Sequence, residues 1–582
     1  MNTEKLYIPP EDVESFTVLY QILDHAARHY PEKTAYRQLE GKAGEASLNF
    51  AELRRRVDCL RAALIERGFS GKHIAVCGET SYEWIIAYLA VMSGVGICIP
   101  LDKENTVETL VNQLDYADTD AVFCSAKCLR KLKNVLPECK SCKTLYVMRT
   151  EELPEIEGCD CVDSMQHLIE EGAAALAEKG DSALPATIDP DETSVIIYTS
   201  GTTGANKGVM LSNRNIMGTL RGCARLLHFP DTSISVLPIN HSYELHAHIM
   251  SCMYCGTTVC LNDDLKRLLK NLARFAPEMS CMVPMMLDLI VRKLKKQIAD
   301  QGKEKSFKRA VMLSNALRKI GIDKRRTLFR QVLEPLGGNL QMIICGGAAL
   351  SQSTADFLDD IGIRVYNGYG IIECSPVAAV NPSKKVRRFS VGHLLPTMQA
   401  RIANPNEDGN GEIQLYGDNV MKGYYKAPQD TEQVFTKDGW FRTGDIGHID
   451  KDKFLFISGR LKNLIILPNG KNVSPEEVED ALQKHIPYIK ESVVYADEEL
   501  GGICALIHPD PDFCREHNLN DVEQIKAFMQ DDINSFNAEV PSFKRLMDYQ
   551  ISQSEFVKNT THKIQRFKIA EINKKKEEQA NV

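Results

Sequence analysis

The run Tyr198-Thr199-Ser200-Gly201-Thr202-Thr203-Gly204-Ala205-Asn206-Lys207-Gly208 carries the strongest chemical signal in this 582-residue sequence. Four hydroxyls and two glycines fill positions 199–204, and Lys207 follows. Glycine lets backbone N–H groups approach an anion closely, hydroxyls donate further hydrogen bonds, and an ammonium adds charge. That is the chemistry of a phosphate cradle. It is not a Walker loop, because Gly208 and Val209 follow Lys207 where that pattern needs Ser or Thr. A plain surface connection has the same composition. The run Thr193–Ile197 ahead of it reads as a strand, and a helix is expected from Ser212 or Asn213.

Other reactive side chains are less specific. Of 18 cysteines, Cys139/Cys142 and Cys252/Cys255 form C-x-x-C pairs, and Cys159 and Cys161 a C-x-C. A zinc site needs four converging ligands. The two pairs are far apart in sequence, so core thiols are the alternative to a metal site. Residues 291–330 hold 14 Lys or Arg against 3 Asp or Glu. Phe307, Val311, Ala316, Leu317 and Ile320 fit helices there with one buried face. The basic side is then either a solvated face or a docking surface for anionic lipid or an acidic carrier protein. Over the whole chain 70 basic residues stand against 78 acidic ones, a formal charge of −8, which argues against a general nucleic-acid binder. No apolar run reaches the length of a membrane span, and Met1–Pro10 lacks a signal core, so a cytoplasmic protein is expected.

The elements that must position these groups alternate. A helix is expected over Ala51–Arg67, a strand at His73–Cys77, a helix at Tyr82–Met92, and strands at Gly94–Leu101, Ala121–Cys124 and Thr144–Met148. Such alternation implies crossover units and a mostly parallel sheet, the layered α/β class. Residues 151–190 read as a loop, a helix and a boundary. Beyond Arg401 short strands dominate, at Gly411–Tyr416, Gly439–Phe441 and Lys453–Ser458, which reads as a small β-rich subdomain. A strand at Leu464–Leu467, a turn at Pro468-Asn469-Gly470 and a helix capped by Ser474 with Pro475 at its first position follow.

Further motifs stand in order along the chain: Gly346-Gly347-Ala348-Ala349-Leu350, Asn367-Gly368-Tyr369-Gly370-Ile371-Ile372-Glu373, Trp440-Phe441-Arg442-Thr443-Gly444-Asp445, Ser458-Gly459-Arg460-Leu461-Lys462, and Lys558-Asn559-Thr560-Thr561-His562-Lys563-Ile564-Gln565-Arg566. With the 199–207 run, this set resembles the adenylate-forming superfamily of acyl-CoA synthetases, nonribosomal-peptide adenylation domains and beetle luciferases. The resemblance covers about Phe16 to Ile569 and is closest to long-chain fatty acyl-CoA synthetases. It implies an N-terminal domain over 1–461, with its β-rich subdomain at about 395–461, and a mobile α+β C-terminal lid over 462–582.

The resemblance also implies roles. Thr199, Ser200, Gly201, Thr202, Thr203, Gly204 and Lys207 would grip the ATP phosphates. Gly346, Gly347 and Ala348 would flank adenine, with Asn367, Gly368 and Tyr369 beside them and Tyr369 stacking on the base. Glu373 would hold Mg²⁺ through hard oxygen. Asp445 would accept from both ribose hydroxyls, and Arg460 would reach ribose or phosphate. Lys462 would be the hinge, Gly470 would line the thiol channel, and Lys563 would be the adenylation lysine. His241, in Leu237–Glu244, would line the acyl pocket. The Met-rich run Met279, Met282, Met285 and Met286 suits an apolar chain, or is simply core.

The implied reaction joins a carboxylic acid to ATP as acyl-AMP, expels pyrophosphate and passes the acyl group to coenzyme A. A phosphopantetheinyl carrier protein as acceptor, or a weakened adenylate-binding protein, are the alternatives. Three residues depart from the pattern: Ile372 stands where Thr is usual, Asn206 where Pro is, and His562 where Gly is frequent. Losing the Thr hydroxyl would cost roughly 1.5–3 kcal/mol of binding or transition-state stabilisation.

Overall fold

The computed structural model describes residues 15–40, 44–150, 153–185, 187–199, 207–467, 472–497, 500–558, 564 and 566. The chain divides into two compact units. One takes the described residues of Met1–Ala349, Thr354–Ala400 and Leu415–Phe441, and the other those of Leu350–Ser353, Arg401–Gln414 and Arg442–Val582.

The first unit contains two large sheets. One has the order Gly423–Tyr424, Lys207–Ser212, Thr193–Thr199, Ile97–Leu101, His73–Cys77, Ala121–Ser125, Thr144–Met148, Cys161–Ser164. It is parallel from Thr193–Thr199 to Cys161–Ser164, and Lys207–Ser212 and Gly423–Tyr424 extend it antiparallel. The other runs His393–Leu394, Val377–Val380, Arg364–Gly370, Met342–Cys345, Met279–Met282, Thr232–Ser235, Thr258–Leu261, Thr34–Leu39, Glu45–Asn49. Its centre is parallel and both its ends are antiparallel.

Helices cover these sheets by burying one face. In Phe50–Glu66 the Asn49 side chain accepts from the Glu52 backbone N–H, which caps the first turn. Phe50, Leu53, Val57, Leu60 and Leu64 then fall three or four residues apart and are all buried. Cys139 and Cys142 pack in the same core as Val135, Leu145 and Val147, as thiols of the apolar interior.

A four-stranded sheet, Met398–Ala403, Gly411–Gly417, Phe441–Ile449 and Leu455–Arg460 in that order, draws most of its residues from the second unit. A three-stranded sheet of Ile489–Asp497, Gly502–Pro509 and Leu546–Ile551 follows it in the chain. Val478, Leu482 and Ile486 bury against this smaller sheet together with Met529, Ile533 and Phe536.

Several local expectations are corrected. Residues 151–190 contain a strand, Cys161–Ser164, at the sheet edge, and no compact unit ends there. Lys207–Ser212 is an additional strand paired antiparallel with Thr193–Thr199, and the helix expected from Ser212 or Asn213 follows it as Asn213–Leu226. Ser474 precedes the Pro475–His485 helix but makes no cap bond, and its hydroxyl donates to the Ser458 carbonyl at 2.7 Å. Ile320 is 70% exposed instead of lying on a buried face. No helix among the described residues is long and apolar enough to cross a membrane.

Candidate functional site

Strand register assembles one group of residues in the first unit. Thr199 and Lys207 pair across the hairpin as its last register partners. The Lys207 Nζ lies 3.0 Å from Asp430 Oδ2 and 5.0 Å from the centroid of the Tyr424 ring. The Tyr424 hydroxyl in turn donates to Glu373 Oε1 at 2.9 Å. Tyr424 is placed by pairing with Val209, and Glu373 by its own carbonyl, which accepts from the Met421 N–H at 2.8 Å. A cation, a phenol and a carboxylate are thereby held in series beside the hairpin. Burial raises the Tyr424 phenol pKa, and the Glu373 carboxylate adds to the rise, so the phenol stays protonated and donates.

A second cluster lies along neighbouring strands of the same unit. Cys345 pairs with Asn367, which sets the Gly346-Gly347-Ala348 turn beside Asn367, Gly368 and Tyr369. Gly347 has φ +89°, a left-handed backbone that favours glycine. A Cβ on Gly370 would meet the Pro376 carbonyl oxygen at 1.8 Å, so only glycine allows the Arg364–Gly370 strand to pair there. Tyr243 closes the cluster from below: its hydroxyl donates to the Ile344 carbonyl at 3.0 Å, and a Cβ on Gly346 would lie 3.3 Å from its ring. The Tyr243 backbone N–H donates to His241 Nδ1 at 3.2 Å, which leaves the proton of a neutral His241 on Nε2. Met279 and Met282 are fully buried.

The second unit holds the remaining described candidates together. Asp445, 3% exposed, pairs in register with Arg460, and Arg460 Nε is 3.1 Å from its Oδ1. Thr443, Gly444, Arg460, Leu461 and Lys462 line an open cleft of about 330 Å³. Burial lowers the Lys462 pKa, the neighbouring Arg460 lowers it further, and Asp445 and Glu476 oppose both. The Lys462 segment is braced from the following helix: Asn463 Nδ2 donates to Glu476 Oε1 at 2.5 Å, and Ser474 reaches Ser458.

Ser200, Gly201, Thr202, Thr203, Gly204, Gly470 and Lys563 lie outside the described residues. Tyr424 and Asp430 were not read from the sequence. Their only local signal is the Tyr424-Tyr425 pair after Gly423, and nothing in spacing ties them to Glu373 or Lys207. Tyr424→Phe is expected to reduce acid-dependent exchange of labelled pyrophosphate into ATP roughly 10–100-fold, the worth of one hydrogen bond to a charged group. Melting followed by circular dichroism checks that the fold is retained.

Residues 23–425 match the AMP-binding enzyme family, and residues 462–578 match the AMP-binding enzyme C-terminal domain. The chain belongs to the AMP-binding enzyme family. It is similar to the long-chain-fatty-acid–CoA ligase FadD15 of Mycobacterium bovis, with 30% identity over 79% of this chain and 77% of that protein. It is likewise similar to the long-chain-fatty-acid–CoA ligase ACSBG2 of Rattus norvegicus, with 29% identity over 76% of this chain and 70% of that one. The adenylation domain of a carboxylate reductase from Mycobacterium chelonae has the same fold, with a TM-score of 0.76 and 19% identity over 99% of this chain and 94% of that one.

Proposed function

We propose that this protein activates a long-chain fatty acid with ATP and transfers the acyl group to the thiol of coenzyme A. The Lys207–Tyr424–Glu373 series beside the hairpin carries the reaction class, and the relatives' names carry the substrate. A carboxylate oxygen attacks the α-phosphorus, the bond to the β,γ-phosphates breaks, and pyrophosphate leaves. The thiolate sulfur then attacks the acyl carbonyl and AMP leaves.

In this reading the Thr199–Gly204 segment and Lys207 hold the departing pyrophosphate. Gly346–Ala348, Asn367, Gly368 and Tyr369 take adenine, and Asp445 and Arg460 take ribose. His241 and the buried methionines face the acyl chain. Lys563 bridges the acid and the α-phosphate, the C-terminal domain, 462–582, turns at Lys462 from the N-terminal domain, 1–461, and Gly470 lines the path of the thiol. Mg²⁺ fits the donors present: Glu373 offers hard carboxylate oxygen, Tyr424 engages its Oε1, and a cation there would neutralise phosphate charge. The reaction is placed in the cytoplasm, with peripheral membrane contact through residues 291–330.

Transfer to a carrier protein is separated by steady-state AMP release. Release is expected with ATP, palmitate and coenzyme A alone. Release that appears only with a holo carrier protein would refute coenzyme A as the acceptor.

A further inference from the structure

We propose that the outward face of the Glu304–Lys319 helix is a docking surface for an anionic lipid bilayer. The helix has 16 residues, about 24 Å of length, and Ser314 is its only buried residue. Its inner side is accounted for. Phe307 stacks on Phe357 with ring centroids 5.5 Å apart and meets Phe329 at 5.2 Å. Arg318 pairs with Asp359 at 2.8 Å, and just beyond the helix Arg325 pairs with Asp323 and Asp359, each at 2.7 Å.

The outer side is different in kind. At 100° per residue, Lys305, Lys308, Arg309 and Lys319 fall within one half of the helix, opposite Phe307 and Ser314. Among the described residues none of these four cations has an acidic partner. Met312 lies among them, Leu313 and Ile320 flank the same side, and the three are 65%, 53% and 70% exposed. A merely solvated face has no use for three large apolar side chains beside its charges.

The combination matches a helix lying flat in a membrane interface: cations meet lipid phosphates while apolar side chains enter the headgroup–acyl boundary. The surface is convex and runs the whole helix, which suits a bilayer better than the groove-in-helix fit of a protein partner. The inference deepens the membrane contact proposed above. It rests on the proposed reaction only for its purpose, since a long-chain acid is stored in membranes.

The test is cosedimentation of the full chain, without substrates, with vesicles of phosphatidylcholine alone or containing about one-third phosphatidylserine. The wild type is expected to sediment with anionic vesicles, weakly with neutral ones, and less as salt rises. Lys308→Glu/Arg309→Glu should lower the anionic partition coefficient at least about 10-fold, and Met312→Ser/Leu313→Ser several-fold. Pyrophosphate exchange by both variants with a long-chain fatty acid presented in detergent micelles should equal the wild type's, which separates failure of docking from failure of the reaction. Equal binding to both vesicle types, or wild-type binding by the charge variant, would overturn the proposal. So would wild type that ignores vesicles but retains an acidic carrier protein through the same four cations.

Discussion

Lys563→Ala is expected to cut acid-dependent pyrophosphate exchange roughly 10²–10³-fold, the scale for removing one group aimed at transition-state charge. The chain around it is lysine-rich, so the prediction needs a control that composition alone would not distinguish. Lys558 supplies it. Its ammonium is bound to the Glu491 carboxylate and lies 3.6 Å from Glu555, and its backbone forms an antiparallel bridge with Ile564. Arg566 is likewise tied to Glu479. These contacts anchor Lys558 to the Ile489–Asp497 strand and Arg566 to the Pro475–His485 helix. Lys558→Ala should therefore lower stability and leave exchange within a few-fold of wild type. Thioester formation from supplied acyl-adenylate should survive Lys563→Ala, because in the proposed reaction the lysine serves only the first half.

His248→Ala is expected to destabilise the first unit by roughly 3–5 kcal/mol, the cost of leaving a buried charge without its partner. His248 and Glu244 are both fully buried in the Tyr243–Met250 segment, and His248 Nδ1 is 2.9 Å from Glu244 Oε1. His248 Nε2 is 2.5 Å from Ser233 Oγ, whose own proton goes to the Met279 carbonyl at 3.1 Å. Ser233 must then accept from Nε2 while Nδ1 donates to the carboxylate, so both ring nitrogens carry protons. Burial pulls His248 down more than any single neighbour raises it, but Glu244 and Cys252 together outweigh it, and the pKa is raised to about 10. A folded pKa above the unfolded value of about 6.5 gives stability that is full below that value and is lost as pH rises through the folded one. Urea melts should show the largest gap between wild type and His248→Ala near pH 6, narrowing toward pH 10. His246, two residues earlier, behaves oppositely: burial holds it down to about 3, as a neutral ring against the Tyr88 hydroxyl at 2.8 Å.

Continuous apolar runs were the most legible part of the fold. His73–Cys77 and Thr144–Met148 read as strands with the bounds they have, because parallel strands covered on both faces carry little else. Cys161–Ser164 has the sequence Cys-Val-Asp-Ser and sits at an edge, where one neighbour and partial exposure remove the apolar signature. Lys207–Ser212 was hidden because the helix start at Ser212 is so clear that the chain before it reads as loop. Ile320 misled because helical periodicity shows which residues share a face and not which face is buried. Motifs read along the chain single out Glu373, Asp445 and Arg460 as candidates. Tyr424 escaped because its partnership with Glu373 spans 51 residues and depends on the register of an edge strand.

In the proposed reaction an acid and ATP condense to an adenylate with release of pyrophosphate. Isotope exchange measures it most directly: wild-type protein, ATP, Mg²⁺ and labelled pyrophosphate, with a panel of acids and no coenzyme A. Label in ATP is expected to depend on a long-chain fatty acid and to fall away with aryl and amino acids. Label that appears without any acid, or none with any fatty acid tested, would contradict it.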